Sequence, residues 1–151
     1  MPKKTKEMQF YQAVGRRKDA VARVRLYITG KEKAATVAGK KINQGAFLIN
    51  DKELDKAFTN PVDQKRAIFP LELTNSVDRF AVSVKLKGGG MNGQLEAMMH
   101  GIARALLLVN EEEYRPIFRQ HDLLTRDART RERRKVGTGG KARRAKQSPK
   151  R

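Results

Sequence analysis

Residues 80–109 read FAVSVKLKGGGMNGQLEAMMHGIARALLLV, and the fold turns on how they are read. Phe80, Val82, Val84 and Leu86 alternate with Ala81, Ser83 and Lys85, the period of a strand with one buried face. From Gln94 the period changes. Leu95, Met98, Met99, Ile102, Leu106 and Val109 make an apolar stripe at helical spacing, with Asn92 as the expected cap. Ala97, Gly101 and Ala105 add a ridge of small residues that lets this helix sit close on a sheet. His100 and Arg104 lie one turn apart on a different face.

The turn between strand and helix holds a literal G-x-G-x-x-G at 88–93, and an acidic run at 111–113 follows where a ribose-binding acid would be sought. A dinucleotide fold, however, needs a βαβ unit at its start and further parallel strands. Here the motif begins at residue 88 and no clear strand follows the helix. The three acids stand at the foot of the next helical segment, where they meet its dipole favourably. No Gly-Lys-Ser/Thr closes the motif, which excludes a P-loop. Two readings stay open: a backbone turn that holds phosphate at a helix start beside Lys87, or a turn that simply needs positive φ.

Upstream, Ala22, Val24, Leu26 and Ile28 alternate with Arg23, Arg25 and Tyr27 as a second strand, with a third from Phe10 to Val14 and a loop, GRRKD, between them. Residues 31–44 are polar and small, the pattern of a surface excursion. AFLIN at 46–50 predicts a short strand that feeds a helix capped by Asn50 or Asp51. Asn60-Pro61 opens another helix, and Pro70 is expected to end it. NEEEYRPIFRQHDLL gives a shorter helix restarted at Pro116.

The chain of 151 residues carries 34 Lys+Arg against 16 Asp+Glu, a net charge of +18. Such an excess works against compaction and points to a polyanionic partner. With no cysteine and two histidines, thiolate metal sites and disulfides are excluded, and no metal or cofactor is expected. No acid/base pair or activated nucleophile stands out, so no catalysis is expected either. No apolar run reaches the length of a membrane span, and the chain reads as soluble and cytoplasmic. Apolar periodicity stops at Thr125. Residues 126–151 hold net +10 with Val136 as their one large hydrophobe, so alone they are expected to stay unfolded. Extended, these 26 residues span roughly 85 Å. The expected division is a flexible N-terminus at 1–9, a globular body at 10–125 and an extended basic tail at 126–151.

Taken together, KGGGMNGQLEAMMHGIARAL, GRRKDAVARV, INDKEL, FPLEL and TRDARTRERRKVG followed by KARRAKQSPKR resemble, in order, the bacterial form of small-subunit ribosomal protein nine. The resemblance implies an α+β fold: a two-layer sandwich of a mostly antiparallel four-stranded sheet with helices on one face, and a long basic tail. It implies binding to ribosomal RNA in the head of the small subunit, beside neighbouring head proteins. The tail would reach the anticodon stem-loop of the peptidyl-site tRNA. Carried over by position, the ribosomal-RNA residues would be Arg16, Arg17 and Lys18 in the basic loop, and Lys87, Gly88, Gly89, Gly90, Asn92 and Gln94 at the glycine turn. His100 and Arg104 would serve on the helix, and Arg126, Arg129, Arg131, Arg133, Arg134 and Lys135 at the start of the tail. Lys141, Arg143, Arg144 and Lys146 would form its second block, with Lys150 and Arg151 against tRNA. Three stretches depart from the family pattern: the longer 31–44 segment, Gln120-His121-Asp122 in place of a small residue and glycine, and the Gln-Ser-Pro-Lys-Arg ending.

Overall fold

The computed structural model describes residues 10–29, 34–37, 39–134 and 136. Strands β1 (Phe10–Arg17) and β2 (Ala20–Ile28) pair antiparallel across a turn of only two residues, Lys18 and Asp19. The expected five-residue loop is therefore shorter, and Arg16 and Arg17 are strand residues. Because side chains alternate along a strand, the two arginines fall on opposite faces of the sheet. Strand β7 (Phe80–Lys87) pairs antiparallel with β2, and β5 (Phe47–Ile49) runs parallel to β7.

The sheet has five strands in the order β1-β2-β7-β5-β6 rather than the expected four. The additional edge strand, β6 (Lys52–Glu53), is two exposed residues that carry no period a sequence could show. Asn50 and Asp51 form the β5–β6 turn with φ of 45° and 66°, instead of capping a helix. Both residue types tolerate this left-handed conformation. Asn50 also extends the parallel ladder: its side-chain amide donates to the Leu86 carbonyl at 3.0 Å and accepts from the Leu86 N–H at 2.9 Å.

Helices collect on one face. They are α1 (Leu54–Ala57), α2 (Pro61–Glu72), α3 (Met91–Leu107) and α4 (Glu111–Gln120). The connection from β5 to the parallel β7 runs through α1 and α2. Asn60 caps α2 as expected, accepting from the Val62 N–H at 3.1 Å. Pro70 does not end α2, however. The helix stops where Asn75 turns left-handed (φ 49°), with Asn75 N–H bonded to Glu72 and Ser76 N–H to Leu71. The ring of Pro70 is buried, and the lost bond to residue 66 is confined to the last turn. Pro116 likewise lies inside a continuous α4. That helix ends by the same device, with Asp122 left-handed (φ 53°), its N–H bonded to Arg119 and the Leu123 N–H to Phe118.

The core joins Ala22, Val24 and Leu26 of β2, Val82 and Val84 of β7, and Leu95, Met98, Ile102 and Leu106 of α3. Burying each of the larger side chains contributes about 1.5–3 kcal/mol. The 31–44 segment is not merely a surface excursion. Strands β3 (Ala34–Val37) and β4 (Lys40–Asn43) form a hairpin that buries Ala35 and Ile42 against Tyr27, Leu48 and Ala81 on the opposite face of the sheet. This adds a partial third layer and explains why all of β5 is buried.

Helix α3 seats at backbone contact. A Cβ on Gly15 would stand 1.9 Å from the Ala97 carbonyl oxygen, and one on Gly101 would stand 2.7 Å from Val24 Cγ2. The small-residue ridge read from the sequence is this contact. Gly15→Ala is expected to destabilise the fold by about 3 kcal/mol, since helix backbone has no side chain that can yield. Gly93→Ala would meet only ordinary contacts of 3.5 Å and beyond. It should leave stability unchanged or raise it by about 0.5 kcal/mol. Urea unfolding of both variants measures the difference.

Candidate nucleic-acid interface

The sequence pairs Arg17 with Arg16 as neighbours in a basic loop, but the strand register sends Arg17 alone to the helix face. Its side chain is 13% exposed and donates through Nε to Glu96 of α3. The other nitrogens grip the root of the basic tail, bonding Asp127 Oδ2 at 2.9 Å and the Arg129 carbonyl at 2.7 Å. Asp127 in turn holds the Arg129 side chain, with Nη2 2.9 Å from Oδ2, and caps the Arg129 N–H at 2.9 Å. Hydrogen bonds from the Arg129 side chain and backbone, with the Arg129 and Arg17 charges, keep the Asp127 carboxyl well below the usual carboxylate range. Arg17 and Arg129 are thus engaged within the protein, and Glu96 and Asp127 are parts of the site that composition and spacing did not single out.

Next to this clamp, α3, the free edge of β1 and the 122–129 segment enclose an open cleft of about 260 Å³. Arg16, Arg66, His100 and Arg126 are among its lining residues. An adjoining depression brings Arg16, His100, Arg104 and Arg126 together with Val14 and Leu124. Here the basic helix face also braces the fold. Arg104 Nη1 donates to the Val14 carbonyl at 2.6 Å, and His100 Nε2 lies 3.2 Å from the Leu124 carbonyl. A carbonyl only accepts, so Nε2 carries the hydrogen and Nδ1 of the neutral ring is an acceptor. Burial first, and the nearby Arg104 and Arg126 charges next, lower the His100 pKa. With its one hydrogen facing the Leu124 carbonyl, the neutral ring leaves Arg16, Arg104 and Arg126 as the cationic groups of this depression.

The glycine turn packs on the β1–β2 turn. Gly88 and Gly89 have φ of 74° and 65°, and Cβ atoms there would meet the Asp19 carbonyl oxygen at 2.5 Å and Ala20 Cβ at 2.8 Å. Of the two readings, the conformational one is sufficient: these glycines approach the protein's own hairpin. Gly90, not Asn92, is the N-terminal cap residue of α3, and Asn92 lies exposed in the first turn. Gln94 closes the turn by donating from Nε2 to the Gly88 carbonyl at 3.0 Å. Lys18 and Lys87 flank this end of the sheet, both exposed.

Arg126, Arg131 and Arg133 are exposed on a segment without regular structure, and Arg134 is half-buried. Lys135, Lys141, Arg143, Arg144, Lys146, Lys150 and Arg151 lie outside the described residues, as does the 1–9 segment. Arg66 was not legible as part of this group, because only the packing of α2 on α3 brings it to the cleft.

The tail root offers a direct test. A carboxylate whose pKa is depressed in the folded protein contributes its contacts above the ordinary carboxylate range and loses them only as pH falls below it. The chain has no cysteine, so Thr130→Cys supplies a single position for a fluorescent label. Label anisotropy should stay constant from pH 8 to 5 in the parent and fall by a third or more in Asp127→Ala, with the unfolding midpoint nearly unchanged.

Residues 15–151 match the family model described as Ribosomal protein S9/S16. Relatives named small ribosomal subunit protein uS9 include that of Thermotoga petrophila, 43% identical over 93% of this chain and 96% of the relative. That of Thermotoga maritima is 42% identical over 96% of this chain and 98% of its own, and that of Solidesulfovibrio magneticus 39% over 87% and 90%. A basic cleft beside a clamped tail root and a two-residue hairpin docked on a glycine turn are therefore features of a chain that belongs to the ribosomal protein S9 family.

Proposed function

We propose that this chain, a non-enzymatic ribosomal protein of the small subunit that works in translation, binds ribosomal RNA of the subunit head through its cationic cleft and tail. The tail would carry its last residues, Lys150 and Arg151, to the anticodon stem-loop of peptidyl-site tRNA. Neighbouring head proteins complete its surroundings. The observation that carries this reading is the convergence of Arg16, Arg104 and Arg126 at the point where the net +10 segment leaves the body. Cations gathered there attract phosphate by Coulomb forces and counterion release, without reading base sequence. The planar guanidinium suits phosphate better than an ammonium does, and arginine outnumbers lysine at 126–135. A dinucleotide function has less support, since the glycines are taken up by contacts with Asp19 and Ala20.

Removing 126–151 should lower affinity for small-subunit ribosomal RNA by about 100-fold or more at 0.1 M salt and flatten the dependence of binding on salt. Filter binding across a salt series reads both, and an unchanged slope would count against the tail. Deleting only Lys150 and Arg151 should leave incorporation into subunits near the parent level while raising the tRNA off-rate from the peptidyl site about two- to tenfold. Equal off-rates would remove the tRNA contact from the proposal.

A further inference from the structure

The face of the sheet turned away from the helices is divided in two. At one end Tyr27, Leu48 and Ala81 are sealed under Ala35 and Ile42 of the β3–β4 hairpin. At the other end no described residue continues the cover, and β7 passes from buried Ser83 to exposed Lys85 and Lys87. Register sets three rows there across β1, β2 and β7: Gln12, Arg25 and Ser83; Val14, Arg23 and Lys85; Arg16, Val21 and Lys87. These nine positions hold five cations and no carboxylate. None of the five pairs with an acid among the described residues.

Like charges directly opposite one another weaken a sheet, and Arg23 against Lys85 is such a pair. The fold therefore keeps an internal repulsion that a polyanion laid across the strands would relieve. Arg25 is already ordered for that role. Its Nε donates to Gln12 Oε1 at 2.8 Å and its guanidinium lies 4.8 Å over the Phe10 ring, so the planar group is held against the sheet. The rows cover about 14 Å along the strands and 10 Å across, room for a few phosphates on a surface fixed before binding. Val14 and Val21 are the only apolar residues among the nine, and both are half-buried. A protein partner would be expected to meet an apolar centre. Arg16 also borders the cleft at the tail root, so the two basic surfaces meet around the β1 edge.

We propose that this uncovered end of the sheet is a second RNA-backbone contact, carried by Arg23, Arg25 and Lys85 and separate from the tail. It rests on the reading that the chain binds ribosomal RNA. The test uses the full chain with Arg23→Gln, Arg25→Gln and Lys85→Gln combined, titrated with small-subunit ribosomal RNA over a salt series beside the parent and a thermal melt. The variant should bind about 10- to 100-fold more weakly at 0.1 M salt with a slope lower by about two. Its melting temperature should stay level or rise as the repulsion is relieved. Parent-like affinity and slope overturn the proposal. If the triple variant melts lower, Lys85→Gln alone decides, because Lys85 makes none of the contacts that hold Arg25; a parent-like slope then overturns it. In assembled subunits a photocrosslinker on Lys85→Cys should capture RNA, and capture of an acidic protein instead overturns it. Failure of the parent itself to bind ribosomal RNA would remove the underlying reading, and this contact with it.

Discussion

The approach of α3 to the β1–β2 hairpin at backbone distance is the constraint on which the rest of the molecule depends. Gly15 and Gly101 lack side chains where the helix crosses β1, and no other residue would let the two backbones come so near. Once the helix is seated, Glu96 stands within reach of Arg17, Arg104 within reach of the Val14 carbonyl, and His100 within reach of Leu124. The same seating presses the glycine turn onto Asp19 and Ala20. A looser contact of even one methyl group would separate every one of these pairs, because packed interiors do not stretch to compensate.

A chain with this much positive charge divides its arginines between two tasks. Arg17, Arg104 and Arg129 satisfy acids and carbonyls within the protein and set the direction in which the tail root leaves the body. Arg16, Arg23, Arg126, Arg131 and Arg133 are exposed and pair with no acid among the described residues, and Arg104, although bonded to Val14, is exposed beside them. The first group gives the second a fixed geometry, so that repulsion among the exposed cations is held by a network of hydrogen bonds instead of dispersing the segment. Asp127 is central to that division. As one of two acids in a strongly basic stretch it reads as incidental in the sequence, yet it binds two arginines at once.

Local patterns carried much of this architecture. The alternation in 80–86 and 22–28, the helical stripe from Leu95 to Leu106 and the Asn60-Pro61 start stand where their periods place them, while Val109 falls past the end of α3. Signals that depended on one residue were less faithful. Pro70 and Pro116 sit inside helices whose ends are decided by left-handed turns at Asn75 and Asp122. Proline removes a single bond, and tertiary packing of the surrounding apolar face outweighs that loss. Likewise the 31–44 segment looked polar, but two apolar residues at facing positions, Ala35 and Ile42, were enough to close a hairpin over the sheet.

By itself, then, the sequence determined the α+β class, the basic character, the point at which the apolar period ends and the family to which the chain belongs. Those properties are written in composition, local period and ordered motifs, which need no knowledge of distant partners. Only the tertiary structure decided which cations are engaged and which are free. Register sent adjacent Arg16 and Arg17 to opposite faces, aligned Arg23 with Lys85, and brought Glu96 and Asp127 to the same guanidinium. The reason is physical: charge is a property of a residue, whereas its neutralisation depends on contacts between positions 79 or 110 residues apart, and the chain's own order does not encode those distances.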